Sequence, residues 1–252
     1  MTASSIRVLT YNIHKGFNFA NRRFVLHEMR EHLHIINVDI VFLQEILGAH
    51  DYHQKKIYNW PLASQLEFLA DQLWPHMAYG KNAIYQAGHH GNAILSKYPF
   101  SRWENVNLSS FRRASRSLLH GVICIPGIDR PVHVICVHLD MIGMERKRQH
   151  KILSRHIDDL VPADEPLILA GDFNDWNQQL GRQLEADLGL HEAFYYIHGR
   201  YAKTYPVSWP VLSMDRIYFR NLSFIECTCL DTQPWKSLSD HAPLYAQLGY
   251  TC

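Results

Sequence analysis

The stretch LILAGDFN (167–174) runs through Leu, Ile, Leu and Ala before it meets Gly171, Asp172 and Asn174. An apolar run this short, closed by turn-forming residues, reads as a buried strand rather than a helix. It therefore brings a carboxylate and an amide to one strand end. The same arrangement recurs outward along the chain: Asn12 follows IRVLTY, Glu45 follows DIVFLQ and His138 follows VHVICV. Asp215 opens DRIYF, and Asp240 with His241 opens the last apolar run in SLSDHAPLYAQL. Further runs at 93–95, 118–125 and 222–230 complete a series of short strands.

Each boundary residue taken singly fits turn chemistry, because Asp and Asn commonly satisfy backbone groups after a strand. Glu45 alone fits a solvated edge. Four carboxylates, two amides and two histidines at equivalent places go beyond that, since strand ends of one sheet converge on a small volume where ligand sites are built. Glu45, Asp172, Asn174 and Asp240 offer hard oxygen donors, which suit Mg²⁺ or Mn²⁺ better than Zn²⁺. A histidine oriented by an aspartate supplies a donor for a phosphate that develops negative charge. Together these groups point to phosphate-ester hydrolysis.

Composition agrees with a globular enzyme and narrows its surroundings. The 252 residues are 47% hydrophobic and 19% charged, with a formal net charge of +1, so no overall field recruits nucleic acid or an anionic membrane. Five cysteines do not make a disulfide framework in a chain of this length, and Cys227 and Cys229, on one side of a strand, read as small buried hydrophobes. No leader-like N-terminus and no membrane-length apolar run is present, and the expected location is the cytoplasm. Without a linker or internal repeat, residues 1–252 read as a single domain.

Four stretches carry helical period: Phe24 to Ile36 after an Asn21 cap, Leu62 to Leu73 after Pro61, Arg146 to Leu160, and Leu180, Leu184 and Leu188. Many strands with few helices predict mixed sheets covered by helices.

Seven motifs, TYNIHKG (10–16), DIVFLQE (39–45), GNAILSKYPF (91–100), VHL (137–139), GDFN (171–174), SMDRIYF (213–219) and SDHAPL (239–244), resemble in order and spacing the endonuclease/exonuclease/phosphatase superfamily. The resemblance spans the chain and implies a four-layer αββα sandwich, two mixed β-sheets face to face with helices outside and a metal site at one end. It implies that Glu45 is the principal metal ligand, Asn12 an amide beside metal and phosphate, and Asp240 an accessory metal-side carboxylate. It further implies that Asp172, helped by Asn174, positions the attacking water, and that His241, oriented by Asp215, contacts the phosphate. His138 matches the histidine of nuclease and sphingomyelinase branches. His14 and Ile46 stand where the abasic-site branch has an acid and a lysine, which points away from apurinic repair and toward small bacterial members.

Arg102, Arg112, Arg113 and Arg116, with Trp103 and Phe111 among them, form a basic run suited to gripping phosphates and stacking on bases, or to a solvated loop. Arg116 and Asn92 stand at family-matching places, and Arg116 is also suited to a structural ion pair. His89 and His90 read as rim residues. None of the 17 histidines shows the spacing of a structural zinc site. Tyr195, Tyr196, Tyr201, Tyr205 and Trp209 read as a long aromatic loop near the site.

The resulting expectation is a Mg²⁺- or Mn²⁺-dependent phosphodiester hydrolase favouring DNA or RNA. The alternatives are a phospholipid or sphingomyelin, or a phosphoinositide or small phosphate ester, as substrate. A non-catalytic binding protein on the same fold is a rival that intact motifs disfavour. No protein partner is inferable.

Overall fold

The computed structural model describes residues 4–85, 88–109 and 116–250. One sheet holds β1 (Ser4–Asn12), β2 (Ile40–His50), β3 (His76–Tyr85), β4 (Gly88–Ser96), β11 (Ser223–Cys229) and β12 (Leu244–Tyr250), in the order β11-β12-β1-β2-β4-β3. The other holds β5 (Phe100–Asn107), β6 (Ser117–Ile123), β7 (Val132–His138), β8 (Leu167–Asp172), β9 (His191–Glu192) and β10 (Asp215–Arg220), in the order β5-β6-β7-β8-β10-β9. Each sheet is mixed: β1 and β2 run parallel, as do β7 and β8, and the other pairs are antiparallel.

Strand alternation creates the layers. Ile6, Val8, Ile40 and Phe42 meet Leu119, Val134, Cys136 and Ile168 between the sheets. The opposite faces of the same strands turn outward. Leu9, Val41 and Leu43 pack under α1 (Leu26–Ile36) and α3 (Gln65–Ala70), whereas Ile135, Val137 and Leu169 pack under α4 (Gly143–Leu160) and α5 (Gly181–Leu188). This is the αββα sandwich that the motifs imply.

The helices need local corrections. Asn21 lies in a 3-10 turn, and α1 starts after Val25 without a side-chain cap. Leu62 is 98% exposed, because α3 starts at the capping box of Ser64 and Glu67 and buries only Leu66 and Leu69 of the expected face. The helix at 146 starts earlier, at Gly143. Two six-residue helices, α2 (Asp51–Lys56) and α6 (Ala193–His198), have no expected counterpart, and α6 contains Tyr195 and Tyr196 of the expected loop.

Between the second sheet and α4 lies a buried histidine chain of His156, His120 and His133, ending on Glu165. Burial, and then the neighbouring cations, hold His120 down to about 3 and lower His133; burial also lowers His156 and takes His138 well down. These rings are neutral when folded, whereas an unfolded histidine protonates near pH 6.5. As pH falls below about 6.5 the unfolded chain binds protons that the folded one refuses, so this stability is present above that pH and lost toward about 3. Asp172 and Glu192 oppose this, because burial raises each to about 7 and the folded chain protonates them first as pH falls. Four rings outweigh two carboxylates. The urea midpoint is therefore expected to drop between about pH 7 and about pH 5, and less steeply in His120→Gln. An equally steep drop in that variant would assign the acid sensitivity to other groups.

Candidate active site

Register sets the first row of polar side chains. His138 at the end of β7 pairs with Asp172 on β8, which pairs with Asp215 on β10. Gly171 makes the approach possible: its φ is +147°, and a Cβ there would stand 2.0 Å from the Val137 carbonyl oxygen. The other sheet supplies a second row. Asn12 pairs with Gln44, and β2 then breaks register between Leu43 and Ile46, where Glu45 takes a left-handed φ of 58°. Gln44 and Ile46 are fully buried, whereas the Glu45 side chain is 21% exposed. A left-handed φ at a non-glycine residue is strained, and here it carries a partly exposed carboxylate between two buried neighbours.

Asp172 sits at the junction. Its Oδ2 accepts from Asn12 Nδ2 at 3.1 Å, which joins the two sheets, and its Oδ1 accepts from the Asn174 backbone N–H at 3.0 Å. Asn174, itself at φ 49°, donates its amide to the Leu139 carbonyl at 2.8 Å and so pins the loop after β7. His138 Nε2 lies 3.4 Å from Asp172 Oδ2. His241 Nδ1 is 2.8 Å from Asp215 Oδ2, and its Nε2 lies 3.9 Å from Asp172 Oδ2. The other carboxylate oxygen of Asp215 is buried with no hydrogen-bond partner among the described residues.

Two further carboxylates flank this core. Glu45 lies 3.5 Å from Lys15 Nζ, and Asp240 lies 3.4 Å from His14 Nδ1 and accepts from Ser239 Oγ at 3.3 Å. Burial pushes the Glu45 carboxyl up, but Lys15, His14, Arg116 and His241 together hold it below the ordinary carboxylate range. Asp172 moves the other way: burial, reinforced by Asp215, carries it to about 7 against the pull of His241. Burial opposes charge on His241, but the charge and hydrogen bond of Asp215, then Asp172 and Asp240, raise it to about 10. His138 stays neutral, lowered by burial and then by Arg116. The site therefore holds a carboxylate with proton affinity near neutrality beside an imidazolium.

Asn12, Glu45, His138, Asp172, Asn174, Asp215, Asp240 and His241 thus lie at one end of the sandwich. Arg116 joins them, with Nη1 3.0 Å and 2.9 Å from the two ring nitrogens of His138, so its partner is a histidine rather than an acid. Asn92 is fully buried and donates to the Ser117 carbonyl at 3.0 Å, tying β4 to β6. Arg112 and Arg113, with Phe111, lie outside the described residues. The expected basic run is divided: Arg102 and Trp103 sit near the start of β5 beside His120, away from Arg116. Lys15 and His14 are site residues that sequence reasoning missed, whereas Tyr205 of the expected aromatic loop does stand at the site, its ring centroid 4.8 Å from that of His241. The first two stand within the TYNIHKG motif, where proximity to Asn12 was the available signal.

Known proteins share this chain's fold. YbhP of Escherichia coli K12, an uncharacterized protein, is 46% identical over 244 residues, covering 97% of this chain and 96% of YbhP. An endonuclease/exonuclease/phosphatase structure from Beutenbergia cavernae superposes with a TM-score of 0.81 at 20% identity, covering 98% of this chain and 72% of that one. Two further solved structures share the fold over nearly their whole length. TDP2 of D. rerio, complexed with a single-strand DNA product, has a TM-score of 0.69 at 18% identity and covers 97% of this chain and 99% of its own. The mannosyl-6-phosphatase Bt3783 of Bacteroides thetaiotaomicron has a TM-score of 0.72 at 17% identity and covers 96% and 99%. The sequence profile of the Endonuclease/Exonuclease/phosphatase family matches residues 9–241, and the chain belongs to that family.

Proposed function

We propose that this chain is a Mg²⁺- or Mn²⁺-dependent phosphodiesterase, acting as one domain over residues 1–252 in the cytoplasm, with DNA or RNA its first substrate class. The observation that carries this reading is Asp172, held by Asn12 and Asn174 and faced by His138 and by the His241–Asp215 pair. The donor set suits a hard cation. Glu45 and Asp240 offer carboxylate oxygens at 21% and 17% exposure, reachable from solvent, and no thiol stands among them. Glu45 would hold the ion, with Asp240 and Asn12 within reach of it. Bound there, a divalent cation polarises a phosphoryl oxygen and offsets charge on the leaving oxygen.

The chain's own residues divide the remaining work. Asp172 takes the proton of the attacking water, for which an affinity near neutrality is well matched. The Asn12 and Asn174 donors fix its two oxygens and so aim the water. His241, kept as imidazolium by Asp215, presents Nε2–H to a phosphate oxygen that gains charge. His138, neutral and buried, and Arg116 border the same space.

Lys15 and Arg116 at the site, together with the sequence positions Arg112 and Arg113 shortly before Arg116, support a polyanionic substrate. Activity on DNA or RNA at subsaturating substrate is expected to fall steeply with added salt, because each phosphate contact releases counterions. Arg112→Ala with Arg113→Ala is expected to flatten that slope while leaving a small phosphate ester nearly unaffected. Equal effects on both substrates would remove the nucleic-acid reading.

A second reading, a phospholipid or sphingolipid phosphodiester, is favoured by one observation. Met141, Ile142 and Met144 are 62%, 62% and 80% exposed in the loop after His138 and the helix start that follows, a loop that Asn174 pins at Leu139. A patch of this kind beside a site suits an acyl chain. Among the described residues no helix is long and apolar enough to cross a membrane. A screen of DNA, RNA, phospholipid vesicles and monoesters in Mg²⁺ separates the two readings, and vesicle cleavage without nuclease activity would select the second.

A further inference from the structure

We propose that His120, His156 and Glu104 form a second metal site, specific for a transition-metal ion of the Zn²⁺ class, on the outer face of the β5–β10 sheet. It is remote from the hydrolytic centre. His133 and His138 stand at opposite ends of β7, about 17 Å apart at the rise of a strand. The odd spacing between them puts their side chains on opposite faces. His120 and His133 turn toward α4, whereas His138 turns toward the other sheet.

The hydrogen-bond chain fixes which nitrogens carry protons. Glu165 Oε2 lies 2.6 Å from His133 Nε2, and a carboxylate only accepts. His133 therefore donates from Nε2, and as a neutral ring it turns an unprotonated Nδ1 toward His120 Nε2, 2.8 Å away. His120 donates in turn from Nε2, which leaves its Nδ1 as a lone pair. That lone pair accepts from His156 Nε2–H at 2.9 Å, and the same His156 nitrogen lies 3.9 Å from Glu104 Oε1; a metal that takes Nε2 would hold His156 in its other neutral tautomer, with the proton moved to Nδ1. Two imidazole nitrogens and a carboxylate oxygen thus converge, all three within 4.8 Å of one another.

A tetrahedral ion with Zn–N near 2.0–2.1 Å sets its ligand atoms about 3.3 Å apart. The His120–His156 separation would open by a few tenths of an ångström and the His156–Glu104 contact would close by about half an ångström, while the exposed Glu104 side chain, within 4.8 Å of His120 Nδ1, would swing in to complete the set. The Glu165–His133–His120 chain is the outer support that metal-bound histidines have, since it fixes the tautomer and raises the basicity of the ligating nitrogen. Burial keeps His120 neutral, as a ligand must be. A depression of about 300 Å³, lined by Arg102, Trp103, Glu104, His120, Val122 and Leu160, gives the ion its entry path and room for water as a fourth ligand. Two nitrogens with one carboxylate select Zn²⁺ over Mg²⁺, so the two sites discriminate by donor chemistry. The ion would join Glu104 on edge strand β5 to His156 on α4, clamping sheet to helix.

The test is a Zn²⁺ titration of the full chain in excess Mg²⁺, followed by calorimetry and thermal melting. Wild type and Glu45→Gln are each expected to bind one Zn²⁺, with the melting temperature rising on binding. His156→Gln is expected to lose that equivalent and Glu104→Gln to bind at least about tenfold more weakly, while Mg²⁺-supported hydrolysis stays within about twofold of wild type in both. Glu104 lies at an exposed edge, so its variant keeps the fold should His156→Gln fail to. A wild type that binds no Zn²⁺, binding undiminished in Glu104→Gln, or binding lost in Glu45→Gln would overturn the proposal. In a Zn²⁺-soaked crystal the anomalous peak is expected beside His120 Nδ1, and a peak at Glu45 alone would count against it.

Discussion

Glu45→Gln is expected to cut metal-dependent hydrolysis by about 10²–10³-fold or more while the fold melts as wild type does. The substitution keeps the shape of the side chain and asks nothing new of the left-handed backbone at φ 58°. It removes the charge that a hard cation needs at this position. The Lys15 partner, 3.5 Å away and 38% exposed, returns to solvent at little cost, so lost activity is not lost structure. If Glu45 holds the ion, the variant shows a raised Mg²⁺ requirement, with partial recovery at high Mg²⁺. If Glu45 served only to neutralise Lys15, Lys15→Met would rescue Glu45→Gln. Unchanged activity in Glu45→Gln, or in excess chelator, would end the metal reading.

What the sequence disclosed and what it hid follow from burial. Nine strands announced themselves as apolar runs, and the three that did not, β3, β5 and β9, all stand at sheet edges. An edge strand such as β5, exposed along most of its length, carries Arg102, Glu104 and Asn105 where a central strand carries Val or Ile. The six-residue helices α2 and α6 are shorter than two turns, too short for a period of 3.6 to register. Asn21 has the chemistry of a cap but sits in a turn four residues ahead of Val25, because tertiary packing rather than local propensity sets where α1 begins.

The candidate site was legible for a related reason. Asn12, His138, Asp172 and Asp215 each interrupt an apolar strand at its boundary, and pairing then puts them in rows. Lys15 and His14 lay in plain view, but a cation and a histidine in a turn carry no signal until their carboxylate partners are located. The histidine chain was hidden more thoroughly. His120 is 13 residues from His133 and 36 from His156, on two strands and a helix, with no spacing to mark them as neighbours. Only the register of β6 against β7 and the docking of α4 bring them together.

His241→Ala and Asp215→Ala are each expected to lower kcat/KM by about 10²–10⁴-fold, and the double variant by little more than either. The reason is that the aspartate acts through the ring, since Asp215 Oδ2, 2.8 Å from His241 Nδ1, orients the imidazole and keeps it charged. Once the ring is gone there is nothing for the aspartate to orient, so the losses do not add. Asp215→Asn separates orientation from charge. An amide can still hold Nδ1, but without the carboxylate the ring loses its main source of positive charge, and burial then favours its neutral form. The imidazolium that persists to about pH 10 in wild type should give way at lower pH in this variant, moving the alkaline limb of the pH profile down. Fully additive losses in the double variant, or an alkaline limb that stays in place in Asp215→Asn, would show that the two residues act in separate steps. In that case the buried, unpartnered oxygen of Asp215 would be the place to look for its independent role.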